Sequence, residues 1–204
     1  MTMVVLDKLV ERRLIAQRRA WGVDQHDEVW EGVYVMSPSA DNEHQSLVMG
    51  ITSAFHSFVS KSNLGQVLPG ANISDRESGW KKNFRTPDVV VVLRGSEAKD
   101  CKTFWTGPVD FLVEVVSRGD RSKRKLPFYS KIGVRELLIV DRQPWRLTLY
   151  RHDGEQLVSV GTSAIGAMAA IQSDVLPFSF ELIAGAERPQ IRITGIPDGE
   201  RWLA

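Results

Sequence analysis

The chain has 204 residues, of which 43% are hydrophobic and 25% charged, with a net charge of +1 and a single cysteine, Cys101. This is the composition of a globular domain long enough to bury its own core. It excludes a disulfide within the chain, a zinc site made of thiols and a membrane helix of about 20 apolar residues, and it speaks against a uniformly basic nucleic-acid coat. Met1 to Arg19 hold Asp7, Glu11 and four arginines. That stretch lacks the apolar centre of a signal peptide, so the expectation is a cytoplasmic protein.

In residues 4–19, Val5, Leu6, Leu9, Val10 and Leu14 recur at helical spacing between charges, which predicts an amphipathic helix. Residues 27–36 (DEVWEGVYVM) read as a hairpin turning at Glu31-Gly32. The segment SPSADNEHQ supplies cap residues for a helix over about 42–60, whose buried face is Leu47, Val48, Ile51, Phe55 and Phe58. Residues 61–86 are strand and loop. The runs PDVVVVL (87–93), DFLVEVV (110–116) and ELLIVD (136–141) are apolar enough for strands covered on both faces. A basic helix is expected over 120–132, ending at Gly133. Residues 146–151 and 156–160 form an antiparallel extension, and 175–183 a last strand. The passage from 110–116 through a helix to 136–141 reads as a βαβ unit. The expected fold class is α/β, a mixed central sheet flanked by helices. The organisation is one domain over 1–185, with its N-terminal helix at 4–19 and core at 27–183, followed by a tail at 186–204.

Two carboxylates interrupt otherwise apolar strands. Asp88 opens PDVVVV, and Glu114 sits in the middle of FLVEVV. A buried carboxylate is costly unless it is paired or binds a metal. Side chains alternate along a strand, so Leu112, Glu114 and Val116 share one face. If the two strands are neighbours, Asp88 and Glu114 enter one pocket, and two carboxylates with waters suit Mg²⁺ or Mn²⁺. The plainer alternative is a buried Glu114 paired with Arg85, Arg118 or Arg121.

The ordered series PDVVVV, EVVS, a basic helix with Lys and Tyr, then GVRELLIVD resembles the Uma-type restriction endonuclease family of the PD-(D/E)XK nuclease superfamily. EVWEGVYVMSPSADNEHQ, with Glu28, Gly32 and His44, resembles the same family's N-terminal part. The likeness runs from about residue 27 to 183. It implies a restriction-endonuclease-like core and a metal-dependent endonuclease that hydrolyses DNA. Asp88 and Glu114 would ligate the cation, and a lysine would orient the attacking water.

In the superfamily's simplest form that lysine lies two residues after the glutamate, where this chain has Val116. In the Uma-type family the lysine comes from the following helix, four residues before a tyrosine, which corresponds to Lys125 and Tyr129. The family's acid four residues earlier is replaced here by Arg121, with Asp120 one step away. Pro127 falls inside the expected helix and clashes with the carbonyl of residue 123 if the helix runs through. The helix therefore starts late or kinks, and Lys123 is the competing catalytic candidate. His44 and Glu28 are accessory candidates at the cleft. Residues 118–135 hold seven Lys or Arg against Asp120 alone, so Arg118, Arg121 and Arg124 are candidates for holding a phosphate backbone. The resemblance also implies DNA and a second copy of the chain as partners, without membrane or organic cofactor. The alternatives are a degenerate member that binds nucleic acid or a partner without cutting, and a purely structural dimerisation module.

Overall fold

In chain order the strands and helices are β1 (Met3–Val4), α1 (Lys8–Ala20), β2 (Glu28–Trp30), β3 (Val33–Met36), α2 (Asn42–Phe55), β4 (Gly65–Pro69), β5 (Ile73–Ser74), β6 (Phe84–Arg85), β7 (Val89–Leu93), β8 (Lys99–Asp100) and β9 (Trp105–Thr106). There follow β10 (Phe111–Val115), α3 (Leu126–Lys131), β11 (Glu136–Arg142), β12 (Trp145–His152), β13 (Leu157–Ser163), β14 (Ile171–Gln172), β15 (Phe178–Ile183), β16 (Gln190–Gly195) and β17 (Arg201–Leu203). The computed structural model describes residues 3–4, 7–117, 122–167 and 169–204.

The three apolar runs picked out by their composition lie side by side at the centre of a six-stranded sheet, ordered β13-β12-β11-β10-β7-β4. Only β10 and β11 are parallel there, as a strand–helix–strand connection requires, and the other neighbours are antiparallel. Both faces are covered. Val89, Val91, Phe111, Val113 and Val115 pack with Leu47, Ile51 and Phe55 of α2 and with the strands β14–β17. The alternate residues Val90, Val92 and Leu112 pack with Phe128, Tyr129 and Ile132 around α3. On the first face Phe55 stacks on Phe178 at 5.3 Å and meets Phe111 edge-on at 5.6 Å. Such aromatic pairs add about 0.5–1.5 kcal/mol each beyond their area.

A seven-stranded sheet, β1-β3-β2-β6-β5-β9-β8, carries the β2–β3 hairpin. Its turn is at Glu31 and Gly32, with φ of 47° and 83°. Two left-handed residues in succession are the two-residue turn whose twist matches a hairpin, and glycine takes the second without strain.

Three expectations are corrected. Residues 186–204 are not a tail, since β16 and β17 complete a four-stranded sheet in which Ile191 and Ile193 are buried and Trp202 packs edge-on against Phe178 at 5.8 Å. The first helix begins at Lys8 after its N-cap Asp7, and its apolar side stays open: Leu9 is 77% and Val10 47% exposed. Periodicity reveals a stripe but not what covers it; the expected Val5 and Leu6 fall outside the described residues. The basic helix is a 3₁₀ turn, Ser122–Lys125, leading into the short α3, with Pro127 in the first turn. Its missing N–H has no helical partner to lose there. Among the described residues no helix is long and apolar enough to cross a membrane.

Candidate active site

Strands β7 and β10 run antiparallel with Val89 opposite Val113. One step further along, Asp88 faces Glu114. The next position, opposite Val115, is Pro87, which has no N–H for a ladder. The chain turns away there, and the Asp88 Oδ2 accepts the Val115 N–H at 2.7 Å. Alternation places Glu114 on the Leu112 side of the sheet, toward α3, where its side chain is only 3% exposed.

The 3₁₀ turn before α3 lowers Lys125 onto that carboxylate. Its Nζ lies 2.9 and 3.0 Å from the two oxygens of Glu114, and 2.9 Å from Glu28 Oε1. One helical turn later the buried Tyr129 hydroxyl donates to Glu114 Oε1 at 2.5 Å. Glu28, on β2, accepts the Thr86 N–H at 2.8 Å and the Trp30 indole N–H at 2.5 Å. His44 comes from the first turn of α2, where the Asp41 cap receives its backbone N–H at 2.8 Å. Its Nε2 stands 3.3 Å from Asp88 Oδ1. Arg142, at the end of β11, fastens this helix start: it donates to Asp41 and Glu43 of α2 and to the Val116 carbonyl beyond β10. Glu28, His44, Asp88, Glu114 and Lys125 all line one cleft of about 160 Å³.

The electrostatics of this cleft are unbalanced, with three carboxylates, Glu28, Asp88 and Glu114, against the one ammonium of Lys125 and the imidazoles of His26 and His44. Burial pushes the Glu114 carboxyl up to about 8; Lys125 pulls it down, while Asp88 and Glu28 push it further up. Burial likewise raises the Tyr129 phenol far above its ordinary range. For His44 burial lowers the value, but the hydrogen bond and charge of Asp88 outweigh it and the net shift is upward.

Surplus negative charge around an oxygen pair is what a hard divalent cation relieves, so Asp88 and Glu114 fit Mg²⁺ or Mn²⁺. Among the described residues no set of three Asp, Glu, His or Cys side chains is arranged to hold a metal. Asp88 and Glu114 would therefore hold the ion with waters filling the remaining positions.

The structure thus brings together Asp88, Glu114, Lys125, Glu28 and His44. Lys123 is elsewhere, its side chain 60% exposed and paired with Asp141 at 3.1 Å. Arg124 is exposed, and Arg118 and Arg121 lie outside the described residues. Arg85 does not pair with Glu114. Its guanidinium is wedged between the rings of Trp30 and Phe128, at 4.6 and 4.1 Å. Sequence reasoning missed the work of Tyr129, Trp30 and Arg142. Tyrosine four residues after Lys125 was the one available signal, because i and i+4 share a helix face.

The sequence model of the Uma2 family, described as "Putative restriction endonuclease", matches residues 16–184. A crystal structure titled as a putative nuclease belonging to DUF820 from Anabaena variabilis ATCC 29413 shares the fold: TM-score 0.57, 14% identity, covering 72% of this chain and 80% of that one. No curated protein matches the chain.

Proposed function

The chain belongs to the Uma2 family, described as putative restriction endonucleases, and from this membership and the cleft we propose that it is a metal-dependent endonuclease hydrolysing DNA phosphodiester bonds. The observation that carries the reading is the pairing of Asp88 and Glu114 on neighbouring strands, with Lys125 buried against Glu114 at 2.9 Å.

In the proposed reaction a water oxygen adds to phosphorus, one P–O ester bond breaks, and the products are a phosphomonoester and a hydroxyl. The water's proton leaves to solvent. When bound, Mg²⁺ or Mn²⁺ would supply Lewis acidity toward that water and the phosphate charge. Asp88 and Glu114 would hold the ion. Tyr129 fixes the carboxylate plane of Glu114 by its 2.5 Å hydrogen bond. Lys125 orients the water and offsets the charge that grows on the phosphate oxygens. His44 steadies Asp88 from the opposite wall. We assign the exposed Arg124, next to Lys125, to the phosphate backbone, in company with Arg118 and Arg121. Cutting both strands of a duplex calls for two such clefts, so the proposed working unit is a homodimer.

The test is nicking of supercoiled plasmid with Mn²⁺ or Mg²⁺, beside Asp88→Ala and Glu114→Ala. Nicking by the wild type that is lost in both variants is the expected result. Cleavage that survives both substitutions refutes the site. Mn²⁺ binding without cleavage on any substrate favours the alternative, a member of the fold that binds nucleic acid without cutting.

A further inference from the structure

We infer that Glu28 is the positioning residue of Lys125 and stands outside the cation's ligand set, so that the cleft takes a single divalent ion. The inference rests on the proposed nuclease reading and specifies the third carboxylate of the same site.

The donors around Glu28 already satisfy it. Its Oε1 accepts the Thr86 N–H at 2.8 Å and Lys125 at 2.9 Å, and its Oε2 accepts the Trp30 indole at 2.5 Å. Two of these donors, a backbone N–H and an indole, are fixed parts of the fold that hold both oxygens of Glu28 whatever Lys125 does, whereas Glu114 accepts from the side chains of Lys125 and Tyr129. The Trp30 ring cannot easily swing away, because Arg85 fills the space behind it and rests on Phe128 of α3. This brace ties β2, which carries Glu28, to the helix that follows Lys125. Asp88 and Glu114 are different in kind, since they stand opposite each other on adjacent strands. Among the described residues neither Glu28 nor any other acid or imidazole joins them in a metal-holding trio.

Lys125 bridges the two glutamates, and that gives Glu28 its task. Were Glu114 to hold an ion, Lys125 would keep its bond to Glu28 and with it its place in the cleft. Without Glu28 the lysine would keep Glu114 as its carboxylate partner and would compete there with an ion.

The test counts Mn²⁺ bound per chain from the free-ion electron paramagnetic resonance signal, and measures kcat and KM on plasmid, for wild type, Glu28→Gln and Trp30→Phe. The expected result is one ion per wild-type chain. In Glu28→Gln its Kd stays within about threefold and the plasmid KM within about twofold, while kcat falls at least roughly tenfold. Trp30→Phe, which removes the indole donor to Glu28 and part of the ring over Arg85, moves kcat the same way by a smaller factor and decides the matter if Glu28→Gln does not fold. A purely structural role for Glu28 would not lower kcat at constant KM and ion affinity. Two ions per wild-type chain, a Kd weakened tenfold or more in Glu28→Gln, or an unchanged kcat overturns the inference and leaves the nuclease reading standing. A wild-type chain that binds no Mn²⁺ overturns both.

Discussion

Replacing Lys125 by Met keeps most of the side-chain volume and deletes the charge that faces Glu114 and Glu28 inside the cleft. Lys125 is 9% exposed and Glu114 3%, so little water can take its place. Removing one partner of a buried ion pair costs about 3–5 kcal/mol. For a chain of this size that is a fall in Tm of about 6–20 °C, at roughly 2–4 °C per kcal/mol.

The cost depends on pH. The Glu114 carboxyl is raised in the folded chain from 4.5 to about 8. Between those values the folded state holds a proton that the unfolded state releases. Its contribution is fully present below 4.5 and is lost as pH rises through the folded value. Lys125 pulls that value down, so Lys125→Met raises it further. Below about pH 8 Glu114 holds its proton in both folded proteins, so the deficit is the same at about pH 5 and about pH 7; above about pH 8 the wild type releases that proton, the variant keeps it, and the deficit grows. Thermal unfolding followed by circular dichroism with EDTA, at about pH 5, 7 and 9, measures this. A change under about 2 °C at about pH 7, or a deficit that shrinks between about pH 7 and 9, refutes the buried pair. Lys123→Met is the control. Its pair with Asp141 is 60% exposed on the lysine side, so it should cost no more than about 1 kcal/mol and leave cleavage intact.

Deleting residues 186–204 removes β16 and β17 and uncovers Phe178 and Phe180, which are fully buried. The shortened chain should be insoluble or bind the dye ANS without a cooperative melt, and a soluble product that unfolds cooperatively would show that the four-stranded sheet is dispensable. Arg142→Ala unties Asp41 and Glu43 from the end of β11. Since Asp41 is 61% exposed, the expected loss is modest, about 1–2 kcal/mol in denaturant unfolding. Cleavage should fall because His44 loses its fixed place beside Asp88, and an unchanged rate would argue that His44 acts from an unrestrained position.

The amino-acid sequence by itself determined the parts of this protein that depend on neighbours along the chain. Three β-branched runs too apolar to face water on either side had to lie centrally, and alternation put Glu114 on the face of Leu112 rather than that of Val113. The Glu31-Gly32 turn and the Asp41 cap were legible for the same local reason. The order of PD, EVV, lysine, tyrosine and GVRELLIVD carried the family.

What tertiary structure decided was which distant groups meet. Asp110 and Glu136 also open apolar strands, and nothing local separates them from Asp88. In the fold Asp110 takes Arg135 and the Leu93 N–H, while Glu136 takes Arg151 and Ser173. Both are structural acids away from the cleft. Lys123 competed with Lys125 until the 3₁₀ turn buried Lys125 and left Lys123 with Asp141. The last strands looked like a tail because a strand's partner is chosen across the sheet, by register and by the apolar face left uncovered. Local periodicity can say that a carboxylate is buried. Only the packing of β2, β7, β10 and the turn before α3 says which two glutamates share one ammonium beside Asp88, and that shared ammonium makes the cleft a candidate for chemistry.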